Sequence, residues 1–245
     1  MTAKSENEMR AGAPKFLERI VCLANSRKNV GRCVAGKRLS DHSWLRPISD
    51  RPGHEISEID RRYPDGKMPR LLDVMEIPCV ENRAHGHQSE NVLIDDRFCW
   101  EKKGRVAWKD ILALVDQDAD LWVNGFSAYH NRNNRVPADL IDENGGSLRL
   151  IELDEIALYA GPKAPGFGNM KLVVRAGFEY RGREYKLDLT DPEYERACLE
   201  RGSGEHCVKS VIACVSLTEP HTNKNGETFA YKLVASIITP KQAGA

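Results

Sequence analysis

The chain has no apolar run approaching the ~20 residues that a membrane-spanning helix needs, so no membrane association is expected. It contains no C-x-x-C pair, Walker-type loop, dinucleotide-binding glycine fingerprint, G-x-S-x-G or H-E-x-x-H. The short signatures of zinc ribbons, nucleotide hydrolases, NAD enzymes, serine hydrolases and zinc proteases are therefore missing, and neither a metal nor a cofactor is expected. Net charge is zero, with 36 Lys and Arg against 36 Asp and Glu, so no global field draws the protein to nucleic acid. Aromatics make only 7% of the chain, few for a general single-strand binder that stacks bases on exposed rings. The start, "MTAKSENEMRAGAPK", lacks the apolar core of a secretory signal and reads as a disordered tail over 1–16. The seven cysteines (22, 33, 79, 99, 198, 207 and 214) are odd in number and widely spread over 245 residues. Reduced thiols in a cytoplasmic protein are the expectation.

What is present is a repeated order of elements. "ERIVCLAN", "RCVAGKRL" and "SWLRPIS" read as strands, "ISEIDRRYPDG" as a turn or two of helix, and "LLDVMEIPCVENR" and "SENVLIDDRF" as two more strands. Pro78 places an edge or a bulge in the first of those two. The C-terminal half repeats the order. "LRLIELDEIALYAG", "KLVVRAGFEY" and "REYKLDLT" are strands, and "DPEYERACLERG" is a helix capped by Asp191, opened by Pro192 and closed by Gly202. "SVIACVSLTEP" and "FAYKLVASII" then form a hairpin. Three strands, a helix and two strands, twice over, fit two five-stranded Greek-key barrels of the OB type. Other small barrels or α+β sandwiches give the same string.

The expected fold is thus mostly β with short helices: a first barrel over 17–97, a helical linker and polar connector over 98–146, a second barrel over 147–240 and a tail over 241–245. Within the linker, "GRVAWKDILALVDQDADLWVNG" predicts a helix. Taken together, "IVCLANSRK", "GRCVAGK", "WLRPIS", "LLDVMEIP", "HQSEN", "NRV", "CVSLTEP" and "YKLVASII" resemble a family of bacterial proteins described as dual OB-containing, from about Phe16 to Ile238. The resemblance implies two OB barrels and an association with bacterial mobile-element and conflict gene neighbourhoods; it supplies no catalytic or binding residues.

The charge is locally uneven. Arg27, Lys28, Arg32, Lys37, Arg38 and Arg46 face a single acid, Asp41, across their stretch, whereas Leu71 to Gly125 is acidic. A serine hydroxyl, guanidinium groups and a glycine-bearing turn suit a phosphate, so Ser26, Arg27, Lys28 and Arg32 are the first candidates for a ligand site. Trp44 and Arg46 alternate on one strand and would form a stacking and phosphate pair. The same face could instead be the core side, with Trp44 buried and Arg46 paired to an acid. Arg132 and Arg135 in "HNRNNRV" could read bases or phosphates, or simply build a surface turn. His87, Gln88, Glu90 and Asn91 could line a small polar pocket or satisfy buried backbone groups. In the second barrel, Ala176, Phe178 and Tyr180 with Tyr185, Leu187 and Leu189 read as a core stripe, with Arg175, Gly177 and Glu179 facing water, so nucleic acid is expected mainly on the first barrel or between the two. "GPKAPGFGN" reads as a mobile hairpin loop able to close over a ligand.

These features lead to a non-enzymatic binder of single-stranded DNA or RNA, or of a nucleotide-like ligand, serving a defence or DNA-processing system. A protein–protein adaptor docking a partner encoded nearby is the second reading. The third is an enzyme on a nucleotide-like substrate using Cys22, Cys33 or the His87 and Glu90 group.

Overall fold

The computed structural model describes residues 13–28, 30–117, 120–164, 166, 168–202 and 204–244. Most of the expected N-terminal tail, and Pro165 and Phe167 of "GPKAPGFGN", lie outside the described residues. The chain divides into two compact units, Met1–Leu114 and Val115–Ala245.

In the first unit, strands β1 (Phe16–Lys28), β2 (Gly31–Arg38) and β3 (Trp44–Ile48) precede helix α1 (Glu58–Arg61). They are followed by β4 (Asp73–Asn82), β5 (Asn91–Ile94), β6 (Glu101–Arg105) and helix α2 (Trp108–Leu112). The pairing runs β1-β2-β3-β5-β4 and returns to β1. Every neighbour is antiparallel except β3 and β5, which run parallel through Arg46↔Asn91 to Ile48↔Leu93. This is a closed five-stranded OB barrel, with its helix between the third and fourth strands. Alternation along the strands sends Ile20, Cys22, Val34, Leu45, Met75, Ile77, Val92 and Ile94 into one buried core. Closure needs Gly36: a Cβ there would stand 2.0 Å from the Val21 carbonyl oxygen. The register between β4 and β5 shifts between Cys79 and Glu81, a bulge beside Pro78.

The second unit repeats the topology. The connector contributes β7 (Arg135–Pro137) and a 3₁₀ turn (Ala138–Leu140). Strands β8 (Leu148–Ala164), β9 (Asn169–Tyr180) and β10 (Arg183–Leu189), helix α3 (Pro192–Arg201), and β11 (Gly204–Leu217), β12 (His221–Thr222) and β13 (Thr228–Ile238) follow. The ring is β8-β9-β10-β13-β11 and back to β8, its one parallel contact being β10 with β13. Asp191 accepts from the Glu193 and Tyr194 amides, capping α3 as expected, and also from the Ile237 amide of β13 at 3.0 Å. The expected core stripe is buried, with Phe178 stacked on Tyr185 at 5.3 Å.

The linker differs from the expected helix: among the described residues of that stretch, only Trp108–Leu112 is helical. Glu101–Arg105 instead pairs with Asp73–Glu76 as a sixth strand. Lys102 (2.6 Å) and Arg105 (3.3 Å) neutralise the buried Asp73 carboxylate, and Lys103 meets Glu76 at 2.9 Å. The ladder runs as far as Arg105, past Gly104 at which the expected helix begins, so the start of that stretch is held extended. Farther on, Trp122 takes a positive φ of 56°, incompatible with a continuing helix.

A cavity on the second barrel and the placement of the candidate residues

The two-stranded register sorts the first-barrel candidates onto two faces. Arg27 opposes Arg32, on the face that carries Asn25 and Val34. Ser26 opposes Cys33 and Lys28 opposes Gly31, on the other face. Ser26 is buried, its Oγ donating to the Cys33 carbonyl at 3.4 Å. Gly31 is required by packing: a Cβ would lie 2.8 Å from Glu55 Cγ and from the Ile56 carbonyl oxygen. On the same face as Ser26, the buried Lys37 donates through Nζ to the Leu114 carbonyl at 2.7 Å and sits 5.4 Å from the half-buried Trp44 ring.

Arg46 is buried and paired to an acid. Its Nη2 lies 3.1 Å from Glu90 Oε1, and its amide donates to the Glu90 carbonyl at 2.9 Å. His87, Gln88, Glu90 and Asn91 are all buried, and the Asn91 amide nitrogen donates to Gln88 Oε1 at 3.2 Å. The polar segment before β5 therefore comes together with Arg46. The Arg46–Glu90 pairing holds the β4–β5 loop against β3. Arg132 and Arg135 are separated from these residues along the chain and by unit. Exposed Arg132 meets Glu184 at 3.0 Å, while its backbone exchanges both hydrogen bonds with Lys186 of β10.

The Cys22 thiol does not gain reactivity. Burial pushes both Cys22 and Cys79 up to about 12, the reverse of what a nucleophile requires. Among the described residues, no group of three or more His, Cys, Asp or Glu is placed to hold a metal ion, and no helix is long and apolar enough to cross a membrane.

Sequence reasoning named Arg135 but not the cavity it lines on the outer face of the second barrel. The connector folds into a loop there: the Arg135 amide donates to the Phe126 carbonyl, the Ala128 amide to Asn134 Oδ1, and the Asn133 amide to Ser127 Oγ. Residues 132–137 then fill the seam between β10 and β13, Arg132 bridging to Lys186 and β7 pairing with Phe229–Tyr231. Beneath this loop lies a cavity of about 490 Å³. Arg175 of β9, Asp188 of β10, and Tyr231 and Leu233 of β13 form its floor, and Thr218 and His221 of the β11–β13 connection its side. Lys163, Tyr129, Asn131 and Arg135 complete the lining.

Arg175, expected to face water, is buried. The connector is the reason: Arg175 Nε donates to Asn131 Oδ1 at 2.8 Å and Nη2 to the Lys163 carbonyl at 2.8 Å, with Asp188 at 3.6 Å. Asn131 in turn donates to Asp188 Oδ1 at 3.0 Å. These three side chains, with the Lys163 carbonyl, fix the cavity floor. Arg135 is different. Its guanidinium lies 4.9 Å from the Phe229 ring and 5.8 Å from the Tyr231 ring, and its buried Nε has no hydrogen-bond partner among the described residues. Arg135 and Lys163 thus leave the cavity positively charged beside aromatic surface. The signal available in sequence was "HNRNNRV" itself, whose asparagines bond the loop rather than solvent.

A family model described as "Dual OB-containing domain" matches residues 18–237, nearly the whole chain. No curated protein and no solved structure matches it significantly.

Proposed function

Because the chain belongs to the dual OB-containing domain family, we propose that it is a non-enzymatic binding protein whose second barrel takes a nucleotide-like ligand, free or as part of a single strand. The observation that carries this reading is the coincidence of the cavity with the face made by the second, third and fifth strands of an OB barrel and its flanking connections. OB barrels bind oligonucleotides and oligosaccharides on such a face. A volume of about 490 Å³ falls within the ~300–1,000 Å³ of small-molecule sites. Arg135 and Lys163 favour an anion over a neutral sugar, and Tyr129 and Tyr231 offer rings on which a base can stack, each stacked base contributing ~1–3 kcal/mol.

Fluorescence anisotropy with labelled single-stranded DNA and RNA, and competition by mononucleotides, tests the reading at two salt concentrations. Binding is expected to weaken with salt as phosphate contacts release counterions. Arg135→Ala is expected to reduce affinity about tenfold, within the ~1–3 kcal/mol of one stacked, charged contact. Absence of binding to every probe, or unchanged affinity in both Arg135→Ala and Lys163→Ala, overturns it.

A further inference from the structure

The end of the first barrel near α1 holds two cations, Arg61 and Arg32, without adequate counter-charge among the described residues. Arg61, the last residue of α1, has a side chain only 5% exposed, and its only acidic neighbour among the described residues is Glu58, 3.9 Å away and 71% exposed. That separation is an ion pair at the limit of contact and no hydrogen bond. The buried Nε of Arg61 has no partner, and no other side-chain hydrogen bond engages it among the described residues. Next to it stands Arg32, whose backbone exchanges both hydrogen bonds with Ile56, just ahead of the α1 cap Ser57. Arg32 also has no side-chain acid or hydrogen-bond partner among the described residues. Arg27 opposes Arg32 directly in the β1–β2 register, on the same face. The acid on the segment leading into α1, Glu55, packs against Gly31 and so lies on the other face of β2.

We propose that Arg61, Arg32 and Arg27 form a binding site for an oxyanion of the phosphate class at this end of the first barrel. A buried guanidinium with no acceptor costs several kcal/mol, and both desolvation and the repulsion of Arg32 depress the pKa of Arg61. A tetrahedral oxyanion removes both penalties at once, because its several acceptor oxygens can meet more than one guanidinium fork. A single carboxylate can meet only one fork well. Asn25, two residues before Arg27 on the same face, has a second buried atom, Oδ1, without a partner; a protonated phosphate oxygen or its water would satisfy it. This site stands apart from the cavity of the second barrel and does not rest on it.

The test is calorimetric titration of the full chain with inorganic phosphate against sodium chloride of matched ionic strength. Arg61→Met and the half-exposed Arg32→Gln are run beside the wild type, each checked by circular dichroism for native strand content. The wild type is expected to bind phosphate specifically, and each variant to bind at least about tenfold more weakly. Arg32→Gln keeps the test decisive if Arg61→Met fails to fold. No heat beyond the chloride control, or equal binding by wild type and Arg32→Gln, overturns the proposal. A thymidine oligonucleotide added to the phosphate-saturated protein separates the sources: displacement assigns the site to backbone phosphate, and no displacement to free phosphate. Arg135→Ala retains this phosphate binding, so failure here and failure of the cavity reading are told apart.

Discussion

Lys232 offers the sharpest check on how the connector is held to the second barrel. It lies on β13 with no solvent exposure, its Nζ donating to the Val123 carbonyl at 2.7 Å and to Asn124 Oδ1 at 2.8 Å. Burial, with the positive charge of Arg183 adding to it, lowers its pKa from 10.5 to about 7. In the unfolded chain the amine keeps its ordinary value. Between pH 7 and about 10 the unfolded state therefore binds more protons than the folded one, and stability rises with pH. Below pH 7 both states are charged and the contribution levels off. Integrated from pH 7 to 9, the linked gain is about 2 kcal/mol. Lys232→Met preserves length and removes the titration. Urea unfolding of both proteins at pH 6, 7, 8 and 9 gives the difference in stability, in which titrations shared by wild type and variant cancel. The expected difference moves in favour of the wild type by about 2 kcal/mol from pH 7 to 9 and flattens below 7. A difference that stays constant across this range refutes the reasoning, and would mean that the two acceptors hold the amine charged as well as water does.

Three further outcomes follow from the packing. Asp191→Ala loses the α3 cap and leaves the buried Ile237 amide unpaired, an expected cost of about 2–3 kcal/mol in urea unfolding. Gly36→Ala drives a methyl into the Val21 carbonyl, and is expected to cost on the order of 3 kcal/mol or to prevent soluble expression, read by thermal denaturation. Glu90→Gln strands the buried Arg46 charge and is expected to cost about 3–5 kcal/mol, whereas Arg46→Met with Glu90→Leu is expected to recover most of it; a double-mutant cycle measures the coupling.

The two rings of strands were legible because each half carries the same alternation and because "DPEYERACLERG" announces its helix with a cap, a first-turn proline and a terminal glycine. The linker was not, since Gly104 and Arg105 at the start of the expected helix are held extended by Val74 and Asp73, some thirty residues earlier. For Arg46 both readings were open, and the choice depended on a parallel contact, Arg46↔Asn91, that no local pattern reveals. Arg175 and Asp188 sit on a face that alternation alone marks as solvent. Only the connector lying over them makes that face a cavity, and sequence spacing does not show which surface a connector covers. Arg61 escaped notice for a related reason: in "ISEIDRRYPDG" its neighbour Arg62 is exposed and looks the same on paper.

The seam of the second barrel also orders events in time. β7 precedes β8 in the chain, yet its partner β13 is the last strand of this barrel to be synthesised. Until β13 arrives, β10 lacks its parallel neighbour, β11 lacks one edge, and β7 has no strand to pair with. Pairings of such long sequence separation are slow and leave strand edges open meanwhile. The cavity floor also takes Tyr231 and Leu233 from β13, so barrel closure and pocket formation are one late step. Under the proposed function, ligand binding at this cavity reads out finished folding, and a chain lacking β13 is silent.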